Sequence, residues 1–389
     1  MKLTECGLLT NIDADRAWRC EYDSITTGHA PNTPKSVNDL AVSPVDSNIL
    51  ASCSIDHSIR IWSLDPAYNK QPLAAICFGQ GHKEQVLTIA YHAKGRFILS
   101  AGVDTKINMW AVPDDLDRHV GTDKPAMIHY PHFSTTEVHT DFVDCVQWYN
   151  DLIFSHACRE DKIIMWKIDG FSSDGTDIPD APIPTSVAIT SSTPVTIPTD
   201  STSRTRSAWG GRFQRLLQFE LPNTNQFYMR FSIFHELGCH PILAAGNEKS
   251  KAFFWDLQRL EEAGTGDDGN QTNKTNPLGL PRHVREGSTS SNASSAISAG
   301  SATTKGKRKK VKEQPRDRGI GDPFLSIKAH KIIEIPKYIA FPFRHFGWSR
   351  DGQWCVGVGD SGLINVFHRW EKGAPPTKAD SDVELPIRQ

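Results

Sequence analysis

Apolar and polar residues alternate along most of the chain in short runs bounded by turn-forming residues, the two-residue period of strands lying on a sheet. Ile49-Leu-Ala-Ser-Cys-Ser-Ile-Asp56 is followed by Ile59-Arg-Ile-Trp62, and Phe97-Ile-Leu-Ser-Ala-Gly-Val-Asp104 by Ile107-Asn-Met-Trp110. In both pairs the Asp stands six residues before the Trp. A third unit reads Leu152–Ser155 then Ile163–Trp166, a fourth Ile242–Gly246 then Ala252–Asp256, and a fifth Trp354–Asp360 then Ile364–Phe367. Each unit is preceded by another strand-like run: Asn38–Ser43, Val86–Tyr91, Val143–Trp148, Tyr228–Ile233 and Arg344–Ser349. Fourth strands are expected at Phe213–Glu220 for the third unit and near Phe324–Lys328 for the fourth. Histidines upstream, His29, His82, His139 and His330, are assigned to the first, second, third and fifth units.

Short strands with tight turns, repeated at this length, predict an all-β chain folded as a WD40-type β-propeller with about five complete blades. One four-stranded blade cannot bury both faces; stacking radially on its neighbours does so and protects its edges. Within a unit the His, the strand Ser, the turn Asp and the Trp can form one hydrogen-bonded tetrad. His29, Ser52, Asp56 and Trp62 fit this pattern, as do His82, Ser100, Asp104 and Trp110. Ser, His and Asp together also suggest a hydrolase. These serines lie inside strands and lack the G-x-S-x-G turn that exposes a nucleophile, so a structural role is expected.

Composition sets the organisation. Ser172–Ala208 and Gly264–Ile320 are rich in Ser, Thr, Gly, Pro and Asn and are expected to be disordered inserts at turns of a repeat region spanning 36–370. Residues 1–35 read as a partial blade and 371–389 as a polar tail. Charge is nearly balanced, 43 basic against 45 acidic, so no global field favours nucleic acid or membrane. No apolar run reaches the roughly 18 residues a membrane helix needs, and Met1–Thr10 lacks the apolar core of a signal peptide. The 8 cysteines include no CxxC pair and read as small buried hydrophobes in a reducing compartment. No metal or cofactor is expected. Lys305, Lys307, Arg308, Lys309, Lys310 and Lys312 form a basic run resembling a nuclear import signal or a weak contact to nucleosomal DNA.

More specific motifs lie between these repeats. Ile128-His-Tyr-Pro-His-Phe-Ser-Thr-Thr-Glu-Val-His-Thr-Asp-Phe-Val-Asp-Cys-Val-Gln-Trp148 and Gln226-Phe-Tyr-Met-Arg-Phe-Ser232 resemble the Polycomb EED/extra sex combs family, as do Leu243–Asn247 and Trp255–Leu257. The resemblance runs from Asn38 to Trp370 outside the inserts. It implies a non-enzymatic, nuclear subunit of Polycomb repressive complex 2. Such a subunit binds the E(z)-type SET methyltransferase on one face and reads trimethyl-lysine of the histone H3 tail on the other, stimulating the methyltransferase.

The cage chemistry stands on its own physics. A trimethylammonium keeps its charge and cannot donate a hydrogen bond, and aromatic faces attract it by on the order of 0.5–2 kcal/mol each. By the resemblance, Tyr228 and Phe227 are cage candidates, with Arg230 beside them. Neighbours on a regular strand point to opposite faces, so both can serve only where the chain is still a loop. Asn11–Ser24 is similar to the first strand of the family's second blade and puts Trp18 at a cage position. The family has seven blades, so this chain reads as a fungal-like or divergent member short of amino-terminal blades. A generic WD40 adaptor, such as a substrate receptor of a ubiquitin ligase, is the alternative reading.

Overall fold

The computed structural model describes residues 36–183, 204–236, 238–263, 320–335 and 341–369. Among them are five antiparallel blades. Blade A is β1 (Val37–Val42), β2 (Ile49–Ser54), β3 (Ile59–Ser63) and β4 (Leu73–Cys77). Blade B is β5 (Val86–Tyr91), β6 (Phe97–Gly102), β7 (Ile107–Ala111) and β9 (Phe133–Thr135), with β8 (Ala126–Ile128) in the connection before its last strand. Blade C is β10 (Val143–Tyr149), β11 (Leu152–Ala157), β12 (Lys162–Ile168) and β14 (Phe213–Glu220); β13 (Thr205–Ser207) lies before β14. Blade D is β15 (Ser232–Phe234), β16 (Ile242–Gly246), β17 (Lys251–Asp256) and β19 (Lys331–Glu334), with α1 (Leu257–Ala263) and β18 (Ser326–Ile327) between its last two strands. Blade E has β20 (Phe343–Trp348), β21 (Trp354–Gly359) and β22 (Ile364–His368).

The two-residue period decides which neighbour each side chain meets. On β11, Ile153 and Ala157 pack towards blade B, whereas Leu152 and Phe154 pack towards blade D. Successive blade pairs each enclose one apolar cluster: A with B around Ile61 and Ile98, B with C around Phe133 and Ile164, C with D around Phe219 and Leu243, D with E around Phe343 and Phe346. Close approach sets the spacing. A Cβ on Gly246 would lie 2.2 Å from the Phe343 Cβ, so only glycine lets blade E seat against β16.

Inside the blades, polar chains cross the sheets. Trp110 Nε1 donates to Ser100 Oγ at 2.9 Å, Ser100 bonds His82 Nε2 at 2.8 Å, and His82 Nδ1 bonds Asp104 at 3.0 Å. Because an ionised carboxylate only accepts, Nδ1 carries the proton and Nε2 accepts from the serine. Blade C has the same chain through Trp166, Ser155 and His139, but its acid is Glu160, 2.8 Å from Nδ1. In blade A, Trp62 donates to Ser52 at 2.8 Å, while Asp56 receives Ser58 and Arg60; His29 lies outside the described residues. Blade D has Ala245 where the serine would stand, and Trp255 Nε1 donates instead to the carbonyl of Ile327 at 3.2 Å.

That bond belongs to a recurrent connection. Between its third and fourth strands, each of blades B, C and D sends chain back to the preceding blade. β8 pairs with β4, β13 with β9, and β18 with β14, so blades A, B and C each gain a fifth strand. Phe324–Lys328 therefore does not supply the fourth strand of blade D. Its central residues extend blade C, and β19 closes blade D. His330 likewise belongs with blade D rather than the fifth unit, its Nδ1 accepting the Asp256 N–H at 2.9 Å. The first insert is ordered at both ends. The Ser173 N–H donates to Asp151 Oδ2 at 3.1 Å, Ile178 packs on the B–C cluster, and Thr205–Ser207 is strand; residues 184–203, 264–319 and the basic run from Lys305 to Lys312 lie outside the described residues. Among the described cysteines none is bridged, and all but Cys239 are buried.

Candidate functional site

β14 ends at Glu220 and β15 begins only at Ser232, so Phe227, Tyr228 and Arg230 lie in the connection from blade C to blade D, not in a strand over Tyr228–Ile233. Tyr228 has φ 59°, the left-handed conformation an aromatic residue adopts only when its surroundings impose it. Two contacts do so. The Tyr228 N–H donates to Asp144 Oδ2 at 2.7 Å. The preceding carbonyl, of Phe227, accepts from Arg344 Nη1 at 2.6 Å, and Arg344 Nη2 also donates to Gln226 Oε1 at 2.6 Å. Sequence reasoning missed Asp144 and Arg344. They come from the innermost strands of blades C and E, and only folding brings them to this loop.

The left-handed turn puts the two rings side by side, with centroids 6.3 Å apart and planes at 47°. Phe227 stacks on Phe142 at 5.6 Å and remains 40% exposed. Gln226, Phe227, Tyr228, Arg344 and Asp360 together line an open depression.

Two arginines would repel a cation here unless neutralised. Arg344 donates from Nε and Nη2 to the two Asp360 oxygens at 2.8 and 2.7 Å. This hydrogen bonding, chiefly, holds the Arg344 guanidinium above its ordinary pKa and the Asp360 carboxyl below its own. Arg230 lies 5.5 Å over the Tyr228 ring and donates to Asp39 Oδ1 at 2.7 Å. Burial works against the Arg230 charge, but Asp39 outweighs it, so the guanidinium stays charged and paired. Burial raises the Tyr228 phenol pKa, so that ring is neutral at physiological pH. With Arg230 over one face of Tyr228, an incoming cation is left the other face and the exposed part of Phe227. Trp18, the third aromatic suggested by sequence, lies outside the described residues. Among the described residues no group of His, Cys, Asp and Glu is arranged to hold a metal.

Comparison with known proteins agrees with this architecture. The family described as WD domain, G-beta repeat matches residues 22–63 and 74–111. The Polycomb protein EED of Chaetomium thermophilum is 34% identical over 86% of this chain and 73% of its own length. Polycomb protein esc of Drosophila melanogaster is 24% identical over 59% of this chain, which spans 49% of it. Among solved structures, the Chaetomium thermophilum Polycomb repressive complex 2 has a chain superposing with TM-score 0.63 at 34% identity, covering 90% of this chain and 75% of that one. The same complex with H3K27me3 and H3K27M gives TM-score 0.64 at 35% identity, with coverage of 90% and 75%.

Blades, inter-blade cores and intra-blade polar chains thus define a WD40-repeat β-propeller protein. Its loop aromatics sit where several blades converge. The chain belongs to the EED/extra sex combs family of Polycomb proteins.

Proposed function

We propose that this chain is a non-catalytic nuclear subunit of a Polycomb repressive complex 2. In this reading it docks and stimulates an E(z)-type SET-domain methyltransferase and binds trimethyl-lysine of the histone H3 tail at Phe227 and Tyr228. The observation carrying the reading is the pair of loop-borne rings beside two internally neutralised arginines. The family relationship supports the rest, since solved complexes of its relatives include Polycomb repressive complex 2 with H3K27me3.

The physics suits the ligand. Exposed ring area attracts a weakly hydrated cation, and among the described residues the carboxylates near the rings, Asp39, Asp144 and Asp360, already accept hydrogen bonds, which gives no advantage to a hydrogen-bonding ammonium. Two faces give modest affinity; Trp18 is proposed as a third contact by family position. The remaining basic residues at Lys305–Lys312 are proposed as an import signal or DNA contact.

Titration of the chain with H3 peptides, trimethylated and unmodified, tests this. The trimethylated peptide should bind more tightly and Tyr228→Ala should abolish the difference. Equal binding of both peptides to the unaltered chain in its complex would overturn the reading. Capture of ubiquitin-ligase components without a SET-domain protein would point to the adaptor alternative.

A further inference from the structure

Asp144 and His156 are both fully buried, on the adjacent strands β10 and β11. Asp144 Oδ1 bonds His156 Nδ1 at 2.9 Å, and Asp144 Oδ2 takes the Tyr228 N–H. His156 Nε2 is buried without a hydrogen-bond partner, so the bond to Asp144 is the imidazole's only polar contact among the described residues. A buried ion-pair-like couple of this kind contributes little to stability compared with an apolar pair of the same size. What the couple does supply is a carboxylate with one oxygen saturated and the other aimed at a left-handed backbone.

We propose that His156, acting through Asp144, is a positioning residue for the methyl-lysine pocket, fixing the Tyr228 backbone so that its ring stands beside Phe227. This rests on the reading of Phe227 and Tyr228 as ligand contacts. Without the His156 donor, Asp144 would be a buried carboxylate short of one partner. With no donor to orient it, the carboxylate could turn away from the loop, and the charge-assisted bond to Tyr228 would weaken. The loop would then lose the contact that offsets the left-handed strain, and the two rings would cease to converge.

The test uses the assembled complex and two H3 peptides, trimethylated and unmodified. His156→Leu should weaken binding of the trimethylated peptide about tenfold, the effect of losing one hydrogen bond to a charged group, with the unmodified peptide unaffected. His156→Gln, whose amide can donate to Asp144, should recover most of the loss. Asp144→Asn keeps the shape of the side chain but removes its charge, so it should weaken the bond to the Tyr228 N–H and lower the preference for trimethyl-lysine. The amide proton of Tyr228 should resonate downfield in the wild type and move upfield in His156→Leu. If the wild type discriminates between the peptides but the variants bind and select as it does, the positioning role is overturned. A wild type that fails to discriminate overturns the reader function instead.

Discussion

Arg230 Nη1 and Asp39 Oδ1 meet at 2.7 Å although 191 residues separate them in the chain. The contact joins the connection entering blade D to the innermost strand of blade A. Asp39 also accepts the Ile89 N–H of blade B at 3.1 Å, so one carboxylate ties three blades together. The same guanidinium covers a face of Tyr228, which links the joining of these blades to the pocket.

Removing one partner of this pair should therefore be expensive. Asp39→Ala leaves a largely buried guanidinium unpaired and is expected to lower the unfolding free energy by about 3 kcal/mol. Asp39→Ala with Arg230→Met should be milder than Asp39→Ala alone. Urea denaturation of the three proteins measures the difference, and equal losses would show that the pair is not coupled.

Gly246 offers a steric test. Gly246→Val places a side chain against Phe343 and should part blades D and E, costing at least about 1–3 kcal/mol. A Cβ on Gly347 meets nothing within 4 Å, so Gly347→Ala should change the urea midpoint little.

Acid should unfold the chain in two stages. Burial lowers the His139 pKa from its ordinary 6.5, so the unfolded chain binds that proton first and stability falls as pH drops below about 6.5. Burial opposes the Asp104 and Glu160 charges, but bonds from His82 and His139 outweigh it and hold both carboxyls below their ordinary values. Their contribution is present above the unfolded values and is lost as pH falls through the lower folded ones. Melting curves from pH 7 to 5 should flatten in His139→Gln, and a slope identical to the wild type's would contradict this assignment. His132 and His345, also lowered by burial, keep the remaining slope from vanishing.

Arg344→Ala should free the Phe227 carbonyl and leave Asp360 without its partner at the rim. Trimethyl-peptide affinity is expected to fall about tenfold, with the melting temperature nearly unchanged because the Arg344–Asp360 pair is partly exposed. Calorimetric titration and a thermal melt on the same sample separate the two effects.

The blades were legible because strand periodicity and the Asp-to-Trp spacing are local signals. Val86–Tyr91 and Phe213–Glu220 could be delimited from the sequence to the residue. The returning strands were not. β8, β13 and β18 are two or three residues long, too short to leave an alternation to detect. The acid of the blade C chain was hidden because Glu160 takes the place held by aspartate in the neighbouring repeat. At the pocket, Phe227, Tyr228 and Arg230 were visible as a motif. Asp144, Arg344, Asp360 and Asp39 were not, since their role arises from distances between blades. The positive φ of Tyr228 has no signature in its own identity; it follows from what holds the backbone.

The backward-reaching connections also bear on how such a chain emerges from a ribosome. Blade A acquires its covering strand only when Ala126–Ile128 has been made, blade B waits for Thr205–Ser207, and blade C for Ser326–Ile327. While each next blade is being made, the last completed one keeps a raw hydrogen-bonding edge and those before it are already sealed. The danger of sticking to a neighbouring nascent chain thus travels along the molecule as a single moving front. Slow translation through the long connections would hold that front open, and quick arrival of the next short strand would close it.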